Sequence, residues 1–125
     1  MTDQNVIESG RAEFALSEVK KVKNDTQIKD DEKRNYKSYA KKYPSLILSN
    51  GLAATVVFAL EKGGAWEILN RNVADWLVIR ELLPEKKPLE EYICSLNSDR
   101  YRIVTNEVLS LFEWLRRFAS GIIEE

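Results

Sequence analysis

Apolar residues recur at steps of three and four along most of this chain and almost nowhere alternate singly with polar ones. That is the period of an α-helix face, not of a half-buried strand. Over residues 6–22 the stripe is Ala12, Ala15, Leu16, Val19 and Val22, and Asn24, Asp25 and Thr26 break it. Asp30 or Asp31 suits the start of a second helix, because a short carboxylate accepts from the free N–H groups of a first turn. This helix is expected to run to Tyr43. Pro44 lacks an N–H and disfavours helix in the residue before it, so a boundary or a kink belongs there. Pro44 then suits the first position of a third helix. There Leu46, Ile47, Leu48, Leu52, Val56, Val57, Phe58 and Leu60 cover nearly every side, the pattern of a helix at the centre of a bundle. Ser49, Asn50 and Gly51 fit either the end of a short helix, with Gly51 left-handed, or a continuous helix closely approached by a neighbour. Gly63–Gly64 closes the segment.

Residues 65–83 read as a fourth helix with Leu69, Val73, Trp76, Leu77, Arg80 and Leu83 as inward stripe and margin. Pro84 to Pro88 is a loop, residues 89–96 a short helix, and Ser98 or Asn97 the cap of a last helix. In that helix Val104, Val108, Leu111, Leu115, Phe118 and Ile122 form an inward seam. The expectation is all-α: a compact bundle of five to six helices, one domain over residues 1–125. Five glycines and three prolines leave little for the turns of an all-β fold. The length suffices for a core without disulfide or metal.

Ser45, Ser49, Asn50 and Thr55 interrupt the one long apolar stretch, residues 44–60, which favours a buried helix over a membrane span. Residues 1–11 lack the basic-then-apolar order of a secretory signal. Cys94 is the single cysteine, so no internal disulfide can form, and a reducing cytoplasm is expected. In its short apolar helix it reads as a small buried hydrophobe. Trp66, Trp76 and Trp114 fall at or near apolar faces and read as core.

Histidine is absent. With it go the commonest general base, the commonest metal ligand and every Ser-His or Cys-His nucleophile. One cysteine does not make a zinc site, and no phosphate-cradling glycine-rich loop occurs. Asp30, Asp31 and Glu32 are adjacent, so on a helix they point in different directions. They read as a helix-start charge cluster rather than a Mg²⁺ site. No enzyme, metal or cofactor is expected.

Charge changes the picture most. From Lys33 to Leu60 there is no acidic residue, although the whole chain carries a net charge of only −1. Lys33, Lys37 and Lys41 lie four apart on one helical ridge, with Arg34 and Lys42 beside it and Tyr36, Tyr39 and Tyr43 interleaved. Cations spaced about one helical turn apart can follow a phosphate backbone, and a tyrosine can stack on an unpaired base or donate to phosphate. Lys20 and Lys23 extend the area if the first two helices lie side by side. The plainer reading is a solvated face, with tyrosines on the inner edge of an amphipathic helix.

The Tyr39–Ala40–Lys41–Lys42 run, Pro44 ahead of an apolar helix, and Ser49–Asn50–Gly51 followed by small apolar residues have a parallel. With a helix before and a long amphipathic helix after, this segment resembles the small α-helical subunit of the Cmr complex, the type III-B CRISPR RNA-targeting effector of antiviral defence. The resemblance implies a non-catalytic subunit. Several copies would stack head to tail beside the subunits that hold the guide RNA and line the path of the target RNA, while other subunits cleave. It implies other Cmr subunits, further copies of this chain, and guide and mainly target RNA as partners, with no membrane. Its RNA-binding surface maps onto Lys33, Arg34, Lys37, Lys41 and Lys42. Lys20, Lys21, Arg71, Arg116 and Arg117 are weaker candidates. Two readings compete with it: a helical DNA-binding regulator reading a groove with residues 65–83, and a plain protein-interaction module.

Overall fold

The computed structural model describes residues 3–124, with side chains from residue 8 onward, so Val6 at the head of the first stripe lies outside the described side chains. Its order is α1 (Asp3–Asn24), α2 (Asp30–Asn50), α3 (Leu52–Lys62), α4 (Ala65–Ile79), α5 (Leu89–Ser95) and α6 (Ser98–Ile122), with no strand among the described residues. The all-helical expectation holds.

α6 is the organising element. It packs on α1, α2 and α4, while α3 lies on α2 and α4 and carries α5 on another side. Its seam is the one the spacing predicts: Val104, Val108, Leu111 and Leu115 are fully buried, and Phe118 and Ile122 are half-buried. Each such aliphatic side chain taken from water contributes about 1.5–3 kcal/mol before ordering costs. Asn97 caps α6, its Oδ1 accepting from Arg100 N at 2.9 Å.

Three boundaries differ from the pattern reading. α2 does not stop at Tyr43 but runs through Pro44 to Asn50. Tyr36, Ala40, Tyr43 and Ile47 make one buried stripe at steps of four, three and four, and that burial carries the helix past a residue lacking an N–H. The break falls at Gly51, whose φ of 92° suits glycine. The Tyr101 hydroxyl of α6 accepts from Ala53 N at 2.8 Å and so caps α3. Residues 44–60 are therefore not one central helix, and they are not apolar-buried all round: Leu48, Val57 and Leu60 are exposed. α4 ends at Ile79, four residues early. Leu82 N bonds to Leu77 O and Glu81 N to Val78 O, with Glu81 at φ 59°, a Schellman ending without glycine. At the start of α2 the cap position is Lys29 with extended backbone and no side-chain bond, and Asp30 is already helical.

Cys94 is exposed, against expectation. α5 turns Leu89 and Ile93 inward, and the next residue lies about 100° around the helix, on the solvent side. Trp66 and Trp76 are core; Trp114 is half-buried, its Nε1 donating to Glu8 Oε1 at 2.8 Å.

Two buried polar clusters tie helices together. Glu107 of α6 accepts from Arg11 of α1 at 2.6 Å, from Arg80 beyond α4 at 2.7 Å and from Trp76 Nε1 at 3.2 Å. Burial raises the Glu107 carboxyl, but the hydrogen bonds and charges of Arg11 and Arg80 outweigh it and hold the group below its ordinary value. Tyr36 donates to Asn72 Oδ1 at 2.7 Å, and Asn72 Nδ2 reaches Glu18 Oε1 at 3.4 Å.

Candidate nucleic-acid interface

The five cations of α2 divide into groups with different surroundings. Lys33 and Lys37 are half-buried. Lys33 Nζ donates to the carbonyl of Lys23, at the end of α1, at 2.6 Å. Lys37 Nζ donates to the carbonyl of Ile123, at the end of α6, at 3.0 Å. Lys23, Asp30, Lys33, Arg34, Ile123 and Glu124 line one small cavity, so the C-terminal ends of α1 and α6 meet the first turns of α2. A helix C-terminus carries partial negative charge and free carbonyls, and a lysine beside it satisfies both. Arg34 is exposed and pairs with Asp31 of its own helix.

Lys41 and Lys42 are exposed and lie beyond that junction. No carboxylate among the described residues pairs with either. Lys42 Nζ sits 5.4 Å from the centroid of the Tyr39 ring, within cation–π range.

The three tyrosines divide as well. Tyr36 and Tyr43 are fully buried and do not stack on a base. Tyr43 donates to Asn70 Oδ1 at 2.6 Å and stacks on Phe112 at 4.5 Å. Burial pushes both phenols well above their ordinary value, with the Glu18 charge adding to the rise at Tyr36. The helical stripe that makes α2 amphipathic takes them inward. Tyr39, half-exposed, is the remaining one, and it stacks on Trp66 at 4.4 Å with planes 9° apart.

Trp66 opens a part of the surface that lies outside the acid-free α2 ridge. Phe58 of α3 meets the Trp66 ring edge-on at 5.0 Å, and Lys62 Nζ lies 5.6 Å from the Phe58 centroid. The sequence reading missed Phe58 and Lys62. Their signal is a lysine four residues after a phenylalanine, immediately before Gly63–Gly64, where the chain doubles back. That turn is held from α2: Glu32 Oε1 accepts from Ala65 N at 2.5 Å and caps α4. Glu32 thus acts on a helix start, though not its own.

The weaker basic candidates are mostly neutralised locally. Lys21 pairs with Glu18 at 2.8 Å, Arg71 with Glu67 at 3.7 Å, and Arg116 and Arg117 both reach Glu113, at 3.1 and 3.4 Å. Lys20 is exposed. Among the described residues no three His, Cys, Asp or Glu side chains are placed to hold a metal ion, and no helix is long and apolar enough to cross a membrane.

Structure and site together define a class: a small bundle, with six helices among the described residues and a lysine rim backed by packed aromatic rings. Residues 7–122 match the family model of the CRISPR-associated Cmr5 proteins, and the chain belongs to that family. It is 32% identical over 98 residues to the CRISPR system Cmr subunit Cmr5 of Thermus thermophilus, covering 78% of this chain and 82% of that protein. A crystal structure of a CRISPR-associated Cmr5 family protein from Thermus thermophilus superposes with a TM-score of 0.76 at 27% identity. The match covers 94% of this chain and 97% of that one.

Proposed function

We propose that this protein is a non-catalytic subunit of a cytoplasmic Cmr effector complex. In this reading several copies associate with one another and with the other Cmr subunits, and their basic surfaces help hold target RNA. The observation that carries it is the pair Lys41–Lys42: exposed, without a described carboxylate partner, and within the part of the chain that matches the Cmr5 family. Arg34 contributes at the margin. Lys33 and Lys37 support the surface by holding helix ends. Exposed Leu48, Val57 and Leu60 offer apolar area for neighbouring subunits.

The regulator reading has less behind it. Its reading helix would be α4, yet Leu69, Asn72, Val73, Trp76 and Leu77 are buried, Arg71 is paired with Glu67 and Arg80 is committed to Glu107. Few polar side chains remain on one exposed face to read base edges.

The test is Lys41→Glu with Lys42→Glu in the assembled complex. Helical circular dichroism is expected to be unchanged, and target RNA retention to fall. For two lost phosphate contacts on a single strand, the slope of log affinity against log salt should flatten by about 1.4. Unchanged retention at both low and moderate salt refutes the role of these lysines.

A further inference from the structure

The rim cations stand over a groove of about 710 Å³ between the second half of α2, the end of α3 and the start of α4. Leu46, Trp66, Tyr39 and Phe58 give it apolar lining and Lys41, Lys42 and Lys62 give it charge; no carboxylate among the described residues lines it. Trp66 is nearly all buried, so its ring is support rather than platform. Tyr39 lies flat on Trp66, so one of its faces is taken, and Lys42 Nζ lies 5.4 Å from its centroid. Phe58 is held by the edge-on contact and has Lys62 over its ring. Two half-exposed aromatic rings, both packed on a third, thus each have a lysine ammonium within cation–π range.

We propose that this groove seats one unpaired base of a single-stranded RNA, stacked on Tyr39 or Phe58. The inference rests on the RNA-contacting role proposed above and adds to it a base-binding subsite. A nucleotide brings a flat ring flanked by two phosphates. As the ring enters, Lys42 and Lys62 swing from the aromatic faces to those phosphates, so each cation keeps an electron-rich partner. The exchange needs no backbone movement and favours no particular base, because every base has a stacking face. A base inside a duplex has both faces taken by its neighbours and does not enter. An acidic peptide satisfies the charge, but it needs an aromatic residue at one fixed place to satisfy the rings.

The test uses the full chain at low salt with three probes: a mixed-sequence six-nucleotide single-stranded RNA, the abasic ribose-phosphate of the same length, and an acidic hexapeptide containing tyrosine. Binding is followed by NMR titration, which detects millimolar affinities, with the Trp66 indole resonance as reporter. The RNA is expected to bind about tenfold more tightly than the abasic strand and to shift Trp66 upfield, because a stacked base typically changes affinity by about 5- to 150-fold. Phe58→Leu and Tyr39→Leu, checked for helicity, should together remove that ratio and leave the abasic affinity unchanged. In the unsubstituted chain the RNA-to-abasic comparison stands without any variant. Equal, salt-sensitive binding of RNA and abasic strand overturns the base site and leaves the phosphate-contacting role standing. No shift with either strand overturns both. Tighter binding of the acidic peptide than of the RNA at Trp66 overturns the base site in favour of a protein partner.

Discussion

Replacing Glu107 by glutamine should destabilise this fold more than any surface change, although the side chains are nearly the same size. Glu107 is 6% exposed and accepts from two guanidinium groups and an indole, joining α1, α4 and α6. Glutamine keeps the acceptor that Arg80 and Trp76 share, but turns an N–H₂ toward Arg11, which is left with Glu8 as its one described carboxylate partner. Breaking a buried pair from one side costs about 3–5 kcal/mol. Arg11 still pairs with Glu8 at 2.7 Å, so the lower end, about 3 kcal/mol, is expected. With an unfolding entropy of roughly 2.1 cal/mol/K per residue, that lowers Tm by about 11 °C. The pH dependence fixes the cause. The folded carboxyl lies below its ordinary value, so its stabilisation is fully present above the unfolded pKa of about 4.3 and is lost as pH falls through the folded value. Urea denaturation should therefore show the whole deficit at pH 7 and a shrinking one below about pH 4. A deficit under about 0.5 kcal/mol at pH 7, or one unchanged down to pH 3, would refute the ion-pair account. A cycle adding Arg11→Met to Glu107→Leu should recover part of the loss, since an apolar pair leaves no buried charge on that side.

Other positions give independent checks. Gly63 and Gly64 both have positive φ, but a Cβ at Gly64 would stand 2.6 Å from Glu32 Oε1 while one at Gly63 meets nothing. Gly64→Ala should therefore exceed Gly63→Ala by about 1 kcal/mol, the value of the displaced cap, as read by chemical denaturation; equal losses would show that the Glu32 cap carries no stability. Glu81→Gly relieves a left-handed non-glycine residue at the end of α4 and should raise stability by about 0.5–1 kcal/mol in the same assay, whereas a loss would mean its side chain matters more than its backbone. Lys33→Met removes the 2.6 Å bond to the end of α1 and should lower stability by about 0.5–1 kcal/mol, while Lys41→Met should leave it within about 0.5 kcal/mol; identical effects would erase the distinction drawn between them.

Much of the fold was legible because burial follows period. The seam of α6, the cap at Asn97 and the stop at Gly63–Gly64 all follow from spacing and short-range chemistry. What failed depended on long-range contacts. Pro44 looks like a boundary until Tyr43 and Ile47 are seen buried on either side of it. Residues 44–60 look wholly buried until Gly51 turns the chain and exposes Leu48 and Val57. α4 ends early because Glu81 adopts a conformation its residue type seldom takes. The candidate surface was half legible for the same reason: the charge on α2 is local, but Phe58, Lys62 and Trp66 join it only through the turn that Glu32 holds.

The lysine ridge shows why a one-dimensional charge pattern carries two meanings. Lys33 and Lys41 are about 12 Å apart along α2, on the same side, and nothing in the sequence separates them. The fold does, because the ends of α1 and α6 arrive together at Lys33 and Lys37 and stop short of Lys41. Two helix C-termini bring roughly half a negative charge each, plus unsatisfied carbonyls. A carboxylate at position 33 or 37 would face both and be repelled. The first turns of the acid-free segment therefore have a folding reason to be basic. That reason ends before Lys41. From there to Leu60 the one described helix end, that of α2 at Asn50, carries no basic residue in its last turn, and acidic residues four positions away would relieve the repulsion between Lys41 and Lys42 and their neighbours. Their absence is what packing leaves unexplained, and it coincides with the lysines that edge an aromatic groove.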